Sequence, residues 1–211
     1  MFEQIDFVPL PKKFIIHHSS VPMPFNDQDL FSLQRKVGRY QEVLNNTRRY
    51  RETWHQSLKQ MIVEQLTHLS SAAGLTGAIE IRSDISNLEA VVFSMGSVES
   101  GLSEQIGNGL KRDLIKNNGN LIYQQLFNGK VLVLINFPFI EKYGQPQPPK
   151  TIAIYRPEEL KEPYFLRHLE TFVADITNWE DYDDDAPEPN QRIGFKMNFE
   201  QDGAKPTKEE G

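Results

Sequence analysis

The stretch NGKVLVLINF, residues 128–137, decides the fold. Its first two residues, Asn-Gly, are the dipeptide most typical of tight β-hairpin turns, and they separate two apolar segments, residues 121–127 and 130–137. The second segment is apolar at consecutive positions, so both of its faces require cover. We therefore predict an antiparallel hairpin whose second strand is central in a sheet, with helices on at least one side.

Shorter β patterns lie on either side of this hairpin. Residues 78–82 and 88–93 are apolar segments joined by a turn at 83–87, and residues 151–155 follow a proline-rich loop. These segments bring the predicted sheet to about five strands, most of them antiparallel.

Three helical patterns accompany these strands. The first covers residues 27–72, and the last opens at Glu158 or Glu159 and carries a broad apolar face as far as Trp179. A third helix, ending at residues 117–119, is predicted from apolar residues at every fourth position: Leu102, Ile106, Leu110 and Leu114. The predicted fold class is α+β, an antiparallel sheet flanked by helices and preceded by a long N-terminal helix.

The first helical pattern contains no proline from its cap at Asn26 or Asp27 to about Ser70. Polar residues interrupt its apolar seam at Thr47 and Arg51. A helix of some 40 residues is roughly 60 Å long, about twice the width of a compact domain. The helix therefore either pairs with a partner or is kinked near residues 45–47. The predicted partner-binding residues occupy a and d positions of a heptad pattern: Leu30, Leu33, Val37, Tyr40, Leu44, Trp54 and Leu58.

Both ends of the chain carry patterns that favour association. Residues 1–26 are apolar but contain four prolines, which predicts an extended arm docked on its own domain or on a neighbour. We predict four regions: this arm, the helix at 27–72, an α/β core at 73–180 and a tail at 181–211. Beyond an acidic run, the tail alternates apolar and polar residues in a pattern that permits edge-strand pairing with a partner: Ile193, Phe195, Met197 and Phe199.

Composition and charge argue against several classes of protein. The chain has no cysteine, which excludes disulfides and thiolate metal sites and favours a reducing, cytoplasmic or other intracellular location. Its longest apolar run is too short to span a membrane. The net charge is −6, and residues 180–188 supply six negative charges, so the remainder is neutral and nucleic-acid binding is disfavoured.

One basic cluster lies on the long helix: Arg35, Lys36, Arg39, Arg48, Arg49 and Arg51. Three interpretations of this cluster stay open. It contacts the acidic tail, it contacts nucleic acid, or it forms a solvated face.

The sequence lacks the common motifs of catalysis and metal binding. The five histidines do not show the i, i+4 spacing with an adjoining glutamate that marks zinc hydrolases. Residues 107–109 lack the third glycine of a dinucleotide-binding loop, and Arg192 stands where a calcium loop beginning at residue 181 needs a glutamate. We expect no enzyme activity, and therefore no catalytic residue, metal ion or cofactor.

The order of elements over about residues 60–180 resembles the GAF-like sensor domains. The stretches KVLVLINF (130–137), TIAIY (151–155) and EELKEPYFLRHLETFVADI (158–176) are similar to the last strands and terminal helix of such a domain. The resemblance implies a GAF/PAS-like sheet with helices on one face, a small-molecule pocket on the other and dimerisation through the leading helix. Four strand residues are candidates for that pocket: Arg82, Tyr123, Asn136 and Tyr155.

Two functions are compatible with these observations. The first is a non-catalytic association subunit that assembles with copies of itself or with protein partners, in a larger complex such as a phage particle or secretion machine. The second is a GAF-like small-molecule sensor that signals through a helical dimer. Three associating segments around one modest core favour the first function.

Overall fold

A computed structural model describes residues 27–107 and 109–181. The chain divides into two compact units, Met1–Glu42 and Val43–Gly211, and the described residues of the first unit are helical. The predicted arm at residues 1–26 lies outside the described residues, as do four predicted partner-binding residues of the tail: Ile193, Phe195, Met197 and Phe199. The predicted boundaries of arm, helix, core and tail stay predictions.

Helix follows helix without interruption at the start of the described chain. The segments are α1 (Asp27–Thr53), a π-helical turn (Trp54–Leu58) and α2 (Lys59–Ala72). α1 continues through residues 45–47, where a kink was one of the two predicted alternatives. The irregularity lies instead at the π-helical turn, where the backbone N–H of Lys59 bonds to the carbonyl of Trp54. None of the described helices is long and apolar enough to cross a membrane.

Within the described ranges the chain continues with eight strands: β1 (Ala78–Arg82), β2 (Ala90–Ser94), β3 (Ser97–Gln105), β4 (Lys111–Asn117), β5 (Asn120–Gln125), β6 (Val131–Asn136), β7 (Phe139–Ile140) and β8 (Lys150–Tyr155). Five of them form an antiparallel sheet in the order β1-β2-β5-β6-β8. This sheet confirms the predicted α+β class and its five antiparallel strands. The other three strands form a second sheet in the order β3-β4-β7.

The predicted hairpin is β5 and β6, and its turn is longer by one residue than the Asn-Gly signal indicates. Leu126 and Lys130 close the turn through a backbone hydrogen bond of 2.8 Å. Among the turn residues 127–129, only Gly129 has a positive φ, of 75°. The side-chain oxygen of Asn128 accepts a hydrogen bond from the Lys130 N–H. This is the three-residue turn that ends in a left-handed glycine.

The helix predicted between β2 and β5 is wrong, because β3 and β4 occupy this stretch and pair as an antiparallel hairpin. Glycines at 101, 107 and 109 adopt positive φ values of 78°, 71° and 77°, which are incompatible with a helix. The spacing of four that suggested a helix also fits a strand, whose period is two. Moreover, Ile106 and Leu110 are 55% and 67% exposed at the end of the hairpin, so they share no buried face.

The main core lies between the helices and one face of the five-stranded sheet. The last helix, α3 (Glu162–Glu180), follows a short 3₁₀ turn at Pro157–Glu159 and contributes its apolar face. Trp54, Leu58 and Ile62 are buried with it. A second, smaller cluster on the opposite face of the sheet consists of strand residues only: Ala90, Val92 and Ile122, with Leu134 packed beside them. The two clusters use alternate residues of the same strands.

Candidate functional site

The apolar seam predicted along the long helix divides into an exposed part and a buried part. Five seam residues of α1 are exposed: Leu30 (46%), Leu33 (57%), Val37 (44%), Tyr40 (63%) and Leu44 (42%). Trp54 and Leu58, by contrast, are 0% and 1% exposed within the main core. Burial therefore begins where the helix meets its own sheet. The five exposed residues are called the α1 seam below.

The residues beside the α1 seam carry few charges. In a parallel, in-register pair of helices, each g position faces the e position of the other copy. These facing pairs are Asp29 and Gln34, Lys36 and Gln41, and Val43 and Arg48. None of these pairs brings like charges together, so a second copy meets no electrostatic penalty along the seam.

The basic cluster of the long helix is only partly engaged within the described chain. The guanidinium of Arg51 donates to the Phe127 carbonyl at 2.6 Å, and Arg49 lies 3.4 Å from a Glu158 carboxylate oxygen. Arg51 therefore ties the helix to the β5–β6 turn. The predicted contact with the acidic tail involves residues outside the described range and stays a prediction.

A buried carboxylate lies against the π-helical turn. Glu89 is 8% exposed, and one of its carboxylate oxygens accepts bonds from Trp54 Nε1 at 3.0 Å and Lys59 Nζ at 2.9 Å. His55 Nδ1 lies 3.9 Å from the other oxygen. Burial raises the pKa of Glu89, but the bonds from Lys59 and Trp54 outweigh it and hold the pKa below its usual value. The group is an ionic anchor between helix and sheet.

Two of the predicted pocket residues meet at a buried histidine. Tyr123 Oη lies 2.9 Å from His168 Nδ1, and Tyr155 Oη lies 3.1 Å from His168 Nε2. Burial lowers the pKa of His168 to about 4 and raises the pKa of both tyrosines. All three side chains are therefore neutral at pH 7, and they form a closed polar network inside the main core.

The other two predicted pocket residues lie on the opposite face of the sheet and do not meet. Arg82 ends β1 and borders a cleft of about 220 Å³. Asn136 ends β6 and pairs with Asn120, which in turn pairs with Ser94. Arg82 belongs to a different cross-strand row, because it pairs with Ala90. The four predicted pocket residues therefore do not form one site. Tyr123 and Tyr155 meet at His168, whereas Arg82 and Asn136 each lie elsewhere.

Comparison with known proteins assigns no relative to this chain. No family model matches it, and no curated protein or solved structure is detectably similar to it. Among the described residues, no group of three or more His, Asp or Glu side chains is placed to hold a metal ion. The GAF/PAS-like assignment stays a prediction.

Sequence reasoning missed two of the buried polar residues, Glu89 and His168. His168 stands on the apolar face of α3 between Phe165 and Phe172, and a polar residue in that position signals a buried hydrogen-bonded group. Glu89 directly precedes β2 and carries no comparable signal in its neighbours. Its partners Trp54 and Lys59 lie 35 and 30 residues away in the sequence.

Proposed function

We propose that this chain is a non-catalytic association subunit, and that two copies pair in parallel through the α1 seam. The exposure of all five seam residues is the observation that carries the proposal. Apolar side chains at heptad spacing on one helix face are stabilised when a second such helix covers them. The arm and tail, on the basis of their sequences, add further contacts with protein partners.

The strength of the pairing follows from the area that remains exposed. Each seam side chain is about half exposed, so covering ten of them in a dimer contributes on the order of 10 kcal/mol. Association of two proteins costs roughly 4–15 kcal/mol in lost freedom. These magnitudes are comparable, so the dimer should dissociate on dilution.

The mass of the full chain in solution, measured by light scattering over a range of concentrations, tests the proposal. We expect the mass to rise from 24.4 kDa towards twice that value. Val37→Asp should hold the chain at the monomer mass, because the carboxylate would be buried in the seam. Phe31→Asp is the matched control, since Phe31 is 67% exposed on the same helix but lies at a b position. A monomeric wild type, or equal loss of dimer in both variants, would contradict the proposal.

A small-molecule sensor that signals through the same helical dimer is the second candidate function. The cleft beside Arg82, on the sheet face that carries the smaller cluster, favours it. Addition of a ligand that binds this cleft should then shift the monomer–dimer equilibrium, whereas a plain association subunit would show no such shift.

A further inference from the structure

The cleft beside Arg82 has an apolar floor on one face of the five-stranded sheet. Ala90, Val92 and Ile122 form this floor and are 7%, 0% and 8% exposed. The loop between β1 and β2 contributes Ile85 and Leu88 as a second wall, and both remain partly exposed at 61% and 38%. The cleft is therefore open to solvent on one side and apolar at its base.

The cleft exists because Ala90, a small residue, lies in the middle of a row of side chains across three strands. Arg82 pairs with Ala90, and Ala90 pairs with Gln124, so the three lie side by side across β1, β2 and β5. Two long side chains therefore flank a methyl group. The volume of about 220 Å³ is below the usual range for drug-sized ligands, and it suits a molecule of amino-acid size.

Three polar side chains at the rim, those of Arg82, Asp84 and Gln124, can form hydrogen bonds with a ligand. The Asp84 carboxylate and the Gln124 side-chain amide have no hydrogen-bond partner within the described part of the chain. Arg82 bonds to Glu80 at 3.2 Å, but both side chains are about half exposed, and such a surface pair contributes little to stability. A ligand can therefore compete with Glu80 for the guanidinium.

We propose that this cleft binds a small zwitterion, namely an α-amino acid with an apolar side chain. The carboxylate of the ligand bonds to Arg82, which matches a carboxylate with paired N–H donors. Its ammonium group bonds to Asp84, and its side chain covers Ala90 and Val92. This inference does not depend on the α1 seam, because the cleft is built entirely from residues of β1, β2, β5 and one loop.

The test is a titration of the ¹⁵N-labelled full chain with leucine, followed by amide chemical shifts. We expect saturable shifts at Ala90 and Gln124. Glycine lacks the apolar side chain and 4-methylpentanoate lacks the ammonium group, so each should bind at least tenfold more weakly. The absence of saturable shifts with leucine at tens of millimolar would overturn the proposal, and so would equal binding of all three compounds.

Variants separate recognition at the cleft from loss of the fold. Arg82→Gln and Asp84→Asn should each weaken leucine binding at least tenfold, whereas Glu80→Gln should tighten it by releasing the guanidinium. Ala90→Leu should abolish binding by filling the cleft. Arg156→Gln is the charge-matched control, since Arg156 does not line the cleft. Shifts that persist in Arg82→Gln and Ala90→Leu, in chains whose spectra show a native fold, would overturn the assignment.

Discussion

Tyr123 Oη lies 2.9 Å from Nδ1 of His168, and this contact joins the middle of the sheet to the last helix. Tyr155 Oη lies 3.1 Å from the other ring nitrogen, Nε2. A neutral imidazole has one donor and one acceptor nitrogen, so one tyrosine hydroxyl donates to the ring and the other accepts from it. Both ring nitrogens are thus satisfied while the ring is neutral, and His168 is only 2% exposed.

The first prediction concerns the loss of stability in acid. The pKa of His168 is about 4 in the folded chain and near its usual 6.5 when unfolded, so the unfolded state binds a proton first. The stability that His168 contributes is complete above pH 6.5 and is lost as the pH falls towards 4. The free energy of unfolding should decrease by about 2 kcal/mol between pH 7 and pH 5. Urea unfolding at several pH values measures this slope.

The variant His168→Gln provides the control for this slope. Glutamine donates and accepts hydrogen bonds but does not titrate, so the variant should be less stable at pH 7 yet lose little stability between pH 7 and pH 5. Hydrogen bonds from Lys59 to Glu89 and from Lys142 to Glu104 hold the pKa of each carboxyl below its usual value, so neither accounts for a slope between pH 7 and pH 5. A variant with the same slope as the wild type would show that His168 is not the titrating group.

The second prediction concerns the glycine of the β5–β6 turn. A Cβ atom at Gly129 would lie 2.7 Å from Tyr50 Cβ and 2.9 Å from the Thr47 carbonyl, and the residue has a φ of 75°. Gly129→Ala should therefore destabilise the fold by about 2–3 kcal/mol, through strain and displacement of α1. Gly74→Ala is the matched control: its φ is 69° and nothing lies within 4 Å, so only about 1 kcal/mol of strain is expected. Equal losses of stability would disprove the contact with Tyr50.

The third prediction concerns the anchor at the π-helical turn. Glu89→Ala leaves the Trp54 indole N–H and the Lys59 ammonium without their shared acceptor, and it should cost about 3 kcal/mol of stability. Glu89→Gln retains an acceptor for the indole and should cost less. Glu64→Gln alters an exposed pair with Gln60 on the same helical stretch and should change stability by less than about 0.5 kcal/mol. Chemical denaturation of the three variants checks this order, and an equal cost for Glu89→Ala and Glu64→Gln would contradict it.

The fold could be predicted from the sequence where two local signals, the apolar pattern and the turn residues, agree. At β1 and at the β5–β6 hairpin, apolar runs coincide with turn residues, and the predicted strands match the observed ones within two residues. In residues 97–117 the spacing of four apolar residues predicts a helix, but Gly101 precedes them and Gly107 and Gly109 lie between them. The glycines decide the structure there, because their positive φ values require turns and bulges.

Only those features of the candidate site that depend on a local sequence pattern could be predicted. Heptad spacing identifies an amphipathic helix, but the same spacing serves packing within a chain and packing between chains. The change from exposed to buried seam, between Leu44 and Trp54, depends on where the sheet lies. Likewise, the partners of Glu89 and His168 come from distant parts of the sequence, and no local pattern predicts such pairs.

The fourth prediction fixes the geometry of the proposed dimer. The chain has no cysteine, so a single introduced cysteine reports on one position without background. In a parallel, in-register pair the two copies of Leu30 face each other, whereas an antiparallel pair places Leu30 near Leu44 at the far end of the seam. Leu30→Cys should therefore form a disulfide-linked dimer under mild oxidation that reductant reverses. Arg39→Cys, at an outward c position of the same helix, should form far less. An antiparallel pair or a shifted register would separate the two introduced thiols. A variant that has the dimer mass in light scattering but forms no disulfide would therefore contradict the parallel, in-register arrangement.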